Sequence, residues 1–196
     1  MGTVKSLLLG MCFVLGACTS QTSTVQTTEK GTQWEWQNGT IVVKTPERPA
    51  GQKSVLGLTT PKLEAVRVGF VGLGMRGPGA VERFTYIPGT QVVALCDYEE
   101  ARADKCQELL KKASMPKAAV YSGDKGYEEL CKRDDIDLVY IAADWLHHFP
   151  VAKCALENGK NVAIEVPSAM NLQECWDLIN LSESTRKLSL IHISEP

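Results

Sequence analysis

One glycine-rich loop limits the folds open to this chain more than any other feature of its sequence. The mostly apolar run Val66–Val71 is followed at once by Gly72-Leu-Gly-Met-Arg-Gly77. In a G-x-G-x-x-G loop between a strand and a helix, the first glycine permits a tight turn, the second lets a diphosphate approach the backbone, and the third lets the helix pack closely. The backbone amides of Met75 and Arg76 would face the anion. The loop therefore predicts a dinucleotide site that includes Gly72, Gly74, Met75 and Arg76.

Short apolar runs alternate with helix-like segments along the middle of the chain. The runs predict strands at 66–71, 92–96, 119–121, 138–142 and 162–164. The segments between them predict helices at 76–83, 99–113, 125–132, 149–158 and 172–187, the last with Asn171 as its N-cap and Glu174 three residues on. Because such alternation favours right-handed crossovers, residues 65–187 are expected to form one α/β domain with a doubly wound parallel sheet.

An acidic residue completes the nucleotide-binding pattern. Asp97 ends the second predicted strand, twenty residues after Gly77. A carboxylate there accepts hydrogen bonds from the ribose hydroxyls of adenosine and repels a 2′-phosphate, which favours NAD as the cofactor over NADP. Arg76 keeps NADP open because a nearby guanidinium neutralises phosphate, and a glycine-rich turn without a ligand is the other alternative. The pattern predicts a Rossmann NAD-binding domain.

Residues 1–18 have the features of an export signal. Lys5 precedes an apolar run from Leu7 to Gly16, which is shorter than the roughly 20 residues of a bilayer-spanning helix. The small residues before Cys18 resemble a bacterial lipoprotein signal, which would make Cys18 the lipid attachment site. The expected protein is therefore an exported lipoprotein, anchored to a membrane in the periplasm or at the cell surface. The alternative is a buried apolar helix.

Residues 19–64 predict a tether followed by an extended arm. Ser, Thr and Gln dominate from Thr19 to about Lys30, a composition typical of flexible linkers. Residues 31–64 contain Trp34, Trp36 and three prolines without clear periodicity. We expect an arm that lies against the domain with the two tryptophans as its anchors.

The last nine residues, 188–196, differ in character from the helix predicted before them. They resemble the translation of a transposase adapter used in sequencing libraries. On this interpretation the natural sequence diverges after about Lys187, and His192 carries no chemistry. The alternative is a genuine final strand.

The charge balance argues against a nucleic-acid-binding protein, and the spacing of the cysteines argues against a zinc site. The 21 Lys and Arg residues nearly balance the 23 Asp and Glu residues, for a net charge of -2, which disfavours a nucleic-acid-binding protein. Of the seven cysteines, Cys12 and Cys18 fall in the predicted signal; the other five form no C-x-x-C pair and no zinc spacing with a histidine. We therefore expect no metal site and five small core residues, namely Cys96, Cys106, Cys131, Cys154 and Cys175.

Several spaced blocks of the sequence resemble glycoside hydrolase family 109. They are Val66–Gly77, Ala94–Asp97, Trp145–His148 and Val162–Pro167, the last followed by Glu174-Cys-Trp176. This family belongs to the oxidoreductase group built around glucose-fructose oxidoreductase, inositol dehydrogenase and the rhizopine-catabolism protein. The resemblance covers about Arg48 to Lys187. It implies an NAD-binding Rossmann domain followed, beyond this chain, by an α+β substrate domain.

The resemblance also implies that one short segment lines the NAD site, supplying Trp145, Leu146, His147 and His148. Trp145 and His148 match the family's usual Thr-Pro-Trp-x-Trp-His run, whereas the Thr-Pro pair and the second tryptophan are replaced. These departures put the exact substrate in doubt. His147 is alternatively a solvated loop histidine.

Val166 distinguishes the branches of this group. In the dehydrogenases the corresponding strand typically ends in Glu-Lys-Pro, and the lysine takes part in proton transfer. This chain has Glu165-Val-Pro167, as the glycosidase branch does, and valine has no titratable group for that task. Glu165 and Val166 are further implied contacts of the cofactor, and Glu165 is also a candidate contact of the sugar. The alternative for Val166 is an ordinary strand residue.

The activity implied by the resemblance is a redox-neutral hydrolysis of α-linked N-acetylgalactosamine or a related sugar. NAD oxidises the sugar at C3, which acidifies the proton on C2, and elimination, addition of water and reduction follow. The catalytic base is expected beyond residue 187. The alternatives are an NAD-dependent sugar oxidoreductase of the same group and a non-catalytic sugar-binding lipoprotein. The expected partners are a carbohydrate, a membrane through the lipid anchor only and, for the complete protein, a second copy of the chain in a homo-oligomer.

Overall fold

The computed structural model describes residues 26–27 and 33–191. The predicted signal with Cys18, most of the tether and His192 lie outside the described residues. Within the described part the chain forms nine strands and five helices. The strands are β1 (Gln26–Thr27), β2 (Gln33–Gln37), β3 (Thr40–Val43), β4 (Val66–Val71), β5 (Thr90–Asp97), β6 (Ala119–Ser122), β7 (Leu138–Ile141), β8 (Asn161–Ile164) and β9 (Ser189–Ile191). The helices are α1 (Gly77–Thr85), α2 (Ala101–Lys112), α3 (Gly126–Cys131), α4 (Trp145–Glu157) and α5 (Leu172–Thr185).

Six of these strands form one parallel sheet in the order β6-β5-β4-β7-β8-β9. The order reverses between β4 and β7, as in a doubly wound Rossmann sheet. Side chains of α1 and α2 pack on one face, and those of α3, α4 and α5 pack on the other. The predicted fold class is confirmed.

Alternating side chains on the strands feed the two halves of the core. Phe70 of β4 is fully buried on the face of α1, where its ring meets Phe84 at 5.2 Å and Tyr140 at 5.3 Å between centroids. Val139 and Ile141 of β7 are buried on the opposite face. Burial of each such side chain contributes about 1.5–3 kcal/mol, so the two apolar layers hold the sheet in place.

Capping side chains fix the residues at which the last two helices begin. Asn171 accepts a hydrogen bond from Glu174 N at 3.1 Å, as predicted, and the Glu174 carboxylate accepts one from Met170 N at 2.8 Å. Helix α4 begins at Trp145, four residues earlier than the predicted start at 149, because Asp144 caps it by accepting a hydrogen bond from Leu146 N at 3.0 Å. The segment 145–148 is therefore the first turn of a helix.

The arm expected over residues 31–64 begins with a β-hairpin. Strands β2 and β3 pair across Asn38 and Gly39, whose φ angles of 50° and 78° are those of a tight two-residue turn. Trp34 and Trp36 lie on this hairpin and contact each other edge to face. The bonds from this segment to α5 come instead from Arg48 and Gln52, as described next.

Hydrogen bonds to a buried carboxylate on α5 hold the arm in place. Glu183 is 3% exposed and accepts from Arg48 Nη2 and Gln52 Nε2, both at 2.9 Å. Arg186, just after α5, donates to the carbonyl oxygens of Lys53 and Ser54. Polar side chains, rather than the two tryptophans that we expected, therefore attach the arm to α5.

The segment expected to be foreign contains strand β9. Ser189–Ile191 pairs in parallel with β8, and Leu188 N donates to Asn161 Oδ1 at 3.0 Å. The conformation is that of the alternative, a final strand. The origin of residues 188–196 stays a prediction.

The cysteines differ in their surroundings. Cys96, Cys106 and Cys131 are buried, which confirms the core interpretation for them. Cys154 is half-buried, and Cys175 is exposed on α5, so the prediction of a core position was wrong for Cys175. None of the helices in the described part of the chain is long and apolar enough to cross a bilayer.

Candidate dinucleotide site

A cavity of about 920 Å³ opens at the carboxyl ends of β4, β5, β7 and β8. This is the edge at which the strand order reverses and where open α/β sheets bind ligands. All eleven cofactor residues predicted from the sequence border this one cavity. They are Gly72, Gly74, Met75, Arg76, Asp97, Trp145, Leu146, His147, His148, Glu165 and Val166. Their contacts with a dinucleotide stay a prediction.

Two glycines of the loop are required by close backbone packing. A Cβ on Gly72, whose φ is 91°, would lie 2.3 Å from Ala143 N. A Cβ on Gly77 would lie 2.1 Å from Gly72 O. The space beside Gly74 is open by comparison, since the nearest atom to its Cβ position is Arg102 Nη1 at 3.5 Å. The loop therefore combines a tight turn with an accessible backbone, as the approach of a diphosphate requires.

The start of α1 supplies a positive end to the cavity. Arg76 is the N-cap residue, and its side chain makes no capping hydrogen bond. Met75 and Arg76 are exposed at the cavity. Because the first N–H groups of a helix lack intrahelical acceptors and carry the positive end of its dipole, an anion is favoured here.

Asp97 has a structural task that the sequence did not suggest. The residue is only 6% exposed, and its Oδ2 accepts a hydrogen bond from Leu73 N at 2.7 Å. Oδ1 accepts from Glu99 N at 3.0 Å and from Arg102 Nη1 at 3.3 Å. Since a carboxylate offers about four lone-pair positions, these three bonds leave about one for a ribose hydroxyl. Asp97 thus fastens the glycine loop to β5 while bordering the cavity.

Arg102 is the main site residue that sequence reasoning missed. It projects from the first turn of α2, contacts Asp97, and donates to Glu99 Oε1 at 2.8 Å. Its guanidinium therefore lies next to the carboxylate that was expected to exclude a 2′-phosphate. The sequence shows an arginine five residues after Asp97, but whether its side chain points toward Asp97 depends on where α2 begins.

The first turn of α4 forms another wall. Trp145 and Leu146 are exposed at the cavity rim. His147 Nδ1 lies 2.6 Å from Asp144 Oδ2, so His147 is a paired residue of a helical turn rather than of a loop, with its side chain 49% exposed to solvent. Burial raises the pKa of Asp144 and hydrogen bonding from His147 lowers it, with a net lowering.

His148 belongs to the cavity floor. It is 1% exposed, with Nδ1 2.6 Å from Pro167 O and Nε2 2.9 Å from Ala143 O. The ring is thus held by two backbone carbonyls. Sequence reasoning grouped His148 with its exposed neighbours and did not distinguish this position.

The segment after β8 carries one acidic and one apolar residue at the cavity. Tyr140 Oη donates to Glu165 Oε1 at 2.7 Å, which fixes the carboxylate. Burial, then the bond to Glu165, raise the pKa of Tyr140 to about 12. Val166 lies two residues beyond the end of β8, is 56% exposed and borders the cavity. Among the described residues, no group of three or more His, Cys, Asp or Glu side chains is placed to hold a metal ion.

The comparisons with known proteins agree with this geometry. Residues 66–192 match the family model described as an oxidoreductase family with an NAD-binding Rossmann fold. The chain is 79% identical over 188 residues to glycosyl hydrolase family 109 protein 4 of Phocaeicola vulgatus, covering 95% of this chain and 36% of that protein. It is 57% identical over 185 residues to glycosyl hydrolase family 109 protein 1 of Bacteroides thetaiotaomicron, covering 94% of this chain and 38% of that one.

Two solved structures share the fold. Biliverdin reductase from Synechocystis sp., solved with biliverdin and NADP⁺, is 27% identical, with a TM-score of 0.55 over 65% of this chain and 37% of that chain. GenD2 from gentamicin A biosynthesis, solved with NAD, is 20% identical, with a TM-score of 0.57 over 68% of this chain and 37% of that chain. The chain therefore spans well under half the length of the relatives it matches.

Proposed function

The chain belongs to the oxidoreductase family with an NAD-binding Rossmann fold, and from this membership we propose that it is the cofactor-binding part of an NAD-dependent glycosidase. The proposed substrate is α-linked N-acetylgalactosamine or a related sugar. Relatives named as family 109 glycosyl hydrolases support the hydrolase class. The observation that carries the proposal is Val166 at the wall of a cavity whose glycine loop suits a dinucleotide.

The residues of the cavity fit NAD. Gly72 and Gly74, with the start of α1, would hold the diphosphate, and Asp97 would meet the adenosine ribose. Arg102 is half-exposed beside Asp97, which keeps NADP as the alternative cofactor. The bound cofactor would supply reversible oxidation of the sugar, whereas the protein supplies binding and orientation.

Val166 favours the glycosidase over its first alternative, a sugar oxidoreductase. A dehydrogenase of this group would need a titratable side chain at this position to move a proton during turnover. Val166 has none, and it is exposed at the cavity beside Glu165. Glu165 is held by Tyr140, which leaves its second oxygen for a hydroxyl of the cofactor or the sugar. The second alternative, a non-catalytic sugar-binding lipoprotein, would retain the cofactor without turnover.

A labelling experiment tests the reaction. The protein from the complete gene is purified and supplied with an aryl α-N-acetylgalactosaminide in deuterated buffer, without added NAD. Release of the aryl group with deuterium at C2 of the product is expected. Cleavage without deuterium would reject oxidation and elimination, and stoichiometric release of NADH would indicate the oxidoreductase.

Two glycine variants link the reaction to the cavity. Gly74→Ala adds a methyl group where only Arg102 is near, so the fold should persist while the diphosphate loses space. Gly79→Ala, in α1, is the matched control, since its Cβ position meets only the flexible end of Arg83 at 3.5 Å. We expect turnover to fall at least tenfold in the first variant and to stay within twofold in the second. Equal turnover in the two variants would separate the reaction from this loop.

The location proposed for the protein is a membrane-anchored, exported lipoprotein. A cofactor regenerated in every cycle suits a compartment that lacks a nicotinamide pool. Metabolic labelling with radioactive palmitate in cells tests the anchor, because Cys18→Ser should abolish incorporation while Cys12→Ser should not. Incorporation that survives Cys18→Ser would refute it.

A further inference from the structure

The buried imidazole of His148 faces a backbone carbonyl oxygen at each of its two nitrogens. Nδ1 is 2.6 Å from Pro167 O, and Nε2 is 2.9 Å from Ala143 O. A carbonyl oxygen can only accept a hydrogen bond, so both ring nitrogens have to donate. A neutral imidazole carries one N–H group, and an imidazolium carries two. We infer that His148 is a buried imidazolium that ties Ala143 to Pro167 and is a positioning residue for the cavity wall.

Two effects oppose the second proton. Burial disfavours the charged form of histidine, and a cation in the first turn of α4 meets the positive end of the helix dipole. In the neutral ring, however, a nitrogen lone pair would face a carbonyl oxygen at 2.6 or 2.9 Å. That contact would be repulsive, whereas charge-assisted hydrogen bonds of these lengths are among the strong ones. The geometry therefore favours the imidazolium.

Carboxylates flank both carbonyls that hold the ring. Asp144 follows Ala143 directly and is already bonded to Leu146 N and paired with His147. Glu165 lies two residues before Pro167 and accepts from Tyr140. Each carboxylate keeps its own partner, so the ring's two donors remain with the carbonyl oxygens.

The ring connects three loops of the cavity. Ala143 follows β7, and its backbone also limits the space at Gly72 in the loop after β4. Pro167 follows Glu165 and Val166 after β8. Through these two carbonyls, His148 sets the distance between the wall that carries Glu165 and the floor beneath the glycine loop. Its consequence for the cofactor rests on the proposed function, but its protonation and its bonds do not.

Nitrogen NMR on the unmutated chain tests the protonation directly. The sequence contains three histidines, so ¹⁵N-histidine labelling of the 196-residue chain gives three ring systems. Single variants of the other two, His147→Gln and His192→Gln, leave the His148 signals assigned by elimination. At neutral pH we expect two closely similar ¹⁵N shifts for His148, each coupled to a proton that exchanges slowly with water. One protonated and one unprotonated nitrogen would overturn the inference.

Hydrogen exchange tests the positioning. His148→Leu removes both donors at similar size, and His148→Gln keeps donors on one amide group. We expect the backbone amide of Glu165, which donates to Ile141 O, to exchange at least tenfold faster in the leucine variant and less so in the glutamine variant. Lys153→Gln, on the exposed side of α4, is the control. Unchanged exchange in both His148 variants would refute the positioning role. Failure of the chain to bind NAD would instead count against the proposed function, because neither measurement requires the cofactor.

Discussion

Leu73 donates its backbone N–H to Oδ2 of Asp97 over 2.7 Å, which fastens the glycine loop to the end of the neighbouring strand. The residue expected to bind a ribose is thereby also part of the scaffold. Replacing Asp97 by alanine would leave the buried N–H of Leu73 without its acceptor, at a cost of about 1–3 kcal/mol.

Asp97→Asn separates the two tasks of this side chain. The amide oxygen of the substituted side chain can still accept from Leu73, so thermal unfolding should change less than in Asp97→Ala. Discrimination between NAD and NADP should fall in both variants, because the negative charge is gone. Calorimetric titration with each dinucleotide measures this. Equal thermal stability of the two variants would argue against the fastening role.

Two glycines in α1 predict opposite changes in stability. Gly77→Ala forces a Cβ to 2.1 Å from Gly72 O, and we expect a loss of about 3 kcal/mol. Gly79→Ala meets only the end of the Arg83 side chain and removes glycine from a helix, so a gain of about 0.5–1 kcal/mol is expected. Urea unfolding of both variants measures the difference. A Gly77 variant as stable as the parent would show that the loop can open.

Tyr140→Phe should loosen Glu165 without dismantling the core. The phenylalanine ring keeps the contacts with Phe70 and Phe84, while Glu165 loses its donor, at a cost of about 1 kcal/mol. We expect NAD to bind about fivefold more weakly, the equivalent of that energy. Tyr121→Phe, on edge strand β6, is the matched control for calorimetry. The role of the Tyr140 hydroxyl would be excluded by equal affinities in the two variants.

Stability at acid pH should depend on Asp137. Its carboxylate accepts from the backbone and guanidinium of Arg67, and the guanidinium holds the pKa of Asp137 below its ordinary value. A folded pKa below the unfolded value of about 3.9 means that this contribution is present above about pH 4 and is lost as the pH falls through the folded value. Asp137→Asn should lower stability at pH 7 and flatten the decline below about pH 4. Unfolding curves that remain parallel to the parent's across this range would contradict it.

Cysteine reactivity should follow burial and hydrogen bonding. Burial raises the pKa of Cys96 to about 12 and of Cys106 to about 11, so both should resist alkylation at pH 8. The Cys131 thiol donates to Cys154 and lowers its pKa, and Cys175 is exposed. Among the five cysteines of the described residues, mass spectrometry after brief iodoacetamide treatment should find Cys154 and Cys175 modified first. Early modification of Cys96 in the folded chain would be inconsistent with the core packing.

The sequence predicted those features that depend on local pattern. Strand β4 was placed at its observed bounds because its apolar run ends at a glycine loop, and Asn171 was identified as a cap from its neighbour Glu174. The glycine loop and Asp97 were assigned to a nucleotide site from their pattern, whereas 145–148, Glu165 and Val166 were assigned to it through the family resemblance. Parallel strands bring the loops after β4, β7 and β8 to one edge, where all of these residues lie.

The features that the sequence did not predict depend on the direction of a side chain or on contacts between residues far apart in the chain. Arg102 reaches Asp97 only because α2 begins at Ala101, and Tyr140 reaches Glu165 only because β7 and β8 are neighbours. The Asn38-Gly39 hairpin was different, since that dipeptide is a strong turn signal that the absence of periodicity obscured. The burial of His148 beside exposed neighbours could not be predicted without the helix that begins at Trp145.

Because Gly72 approaches Ala143 closely, the two loops at the floor of the cavity pack backbone against backbone. Neither loop could be remodelled alone, because each backbone occupies the room that a bulkier residue in the other would need. The outward-facing rim at Trp145, Leu146 and Val166 is not held in this way, so a substitution there would need no compensating change in the opposite loop. This backbone contact thus couples the two loops, so that a change in one would require a matching change in the other.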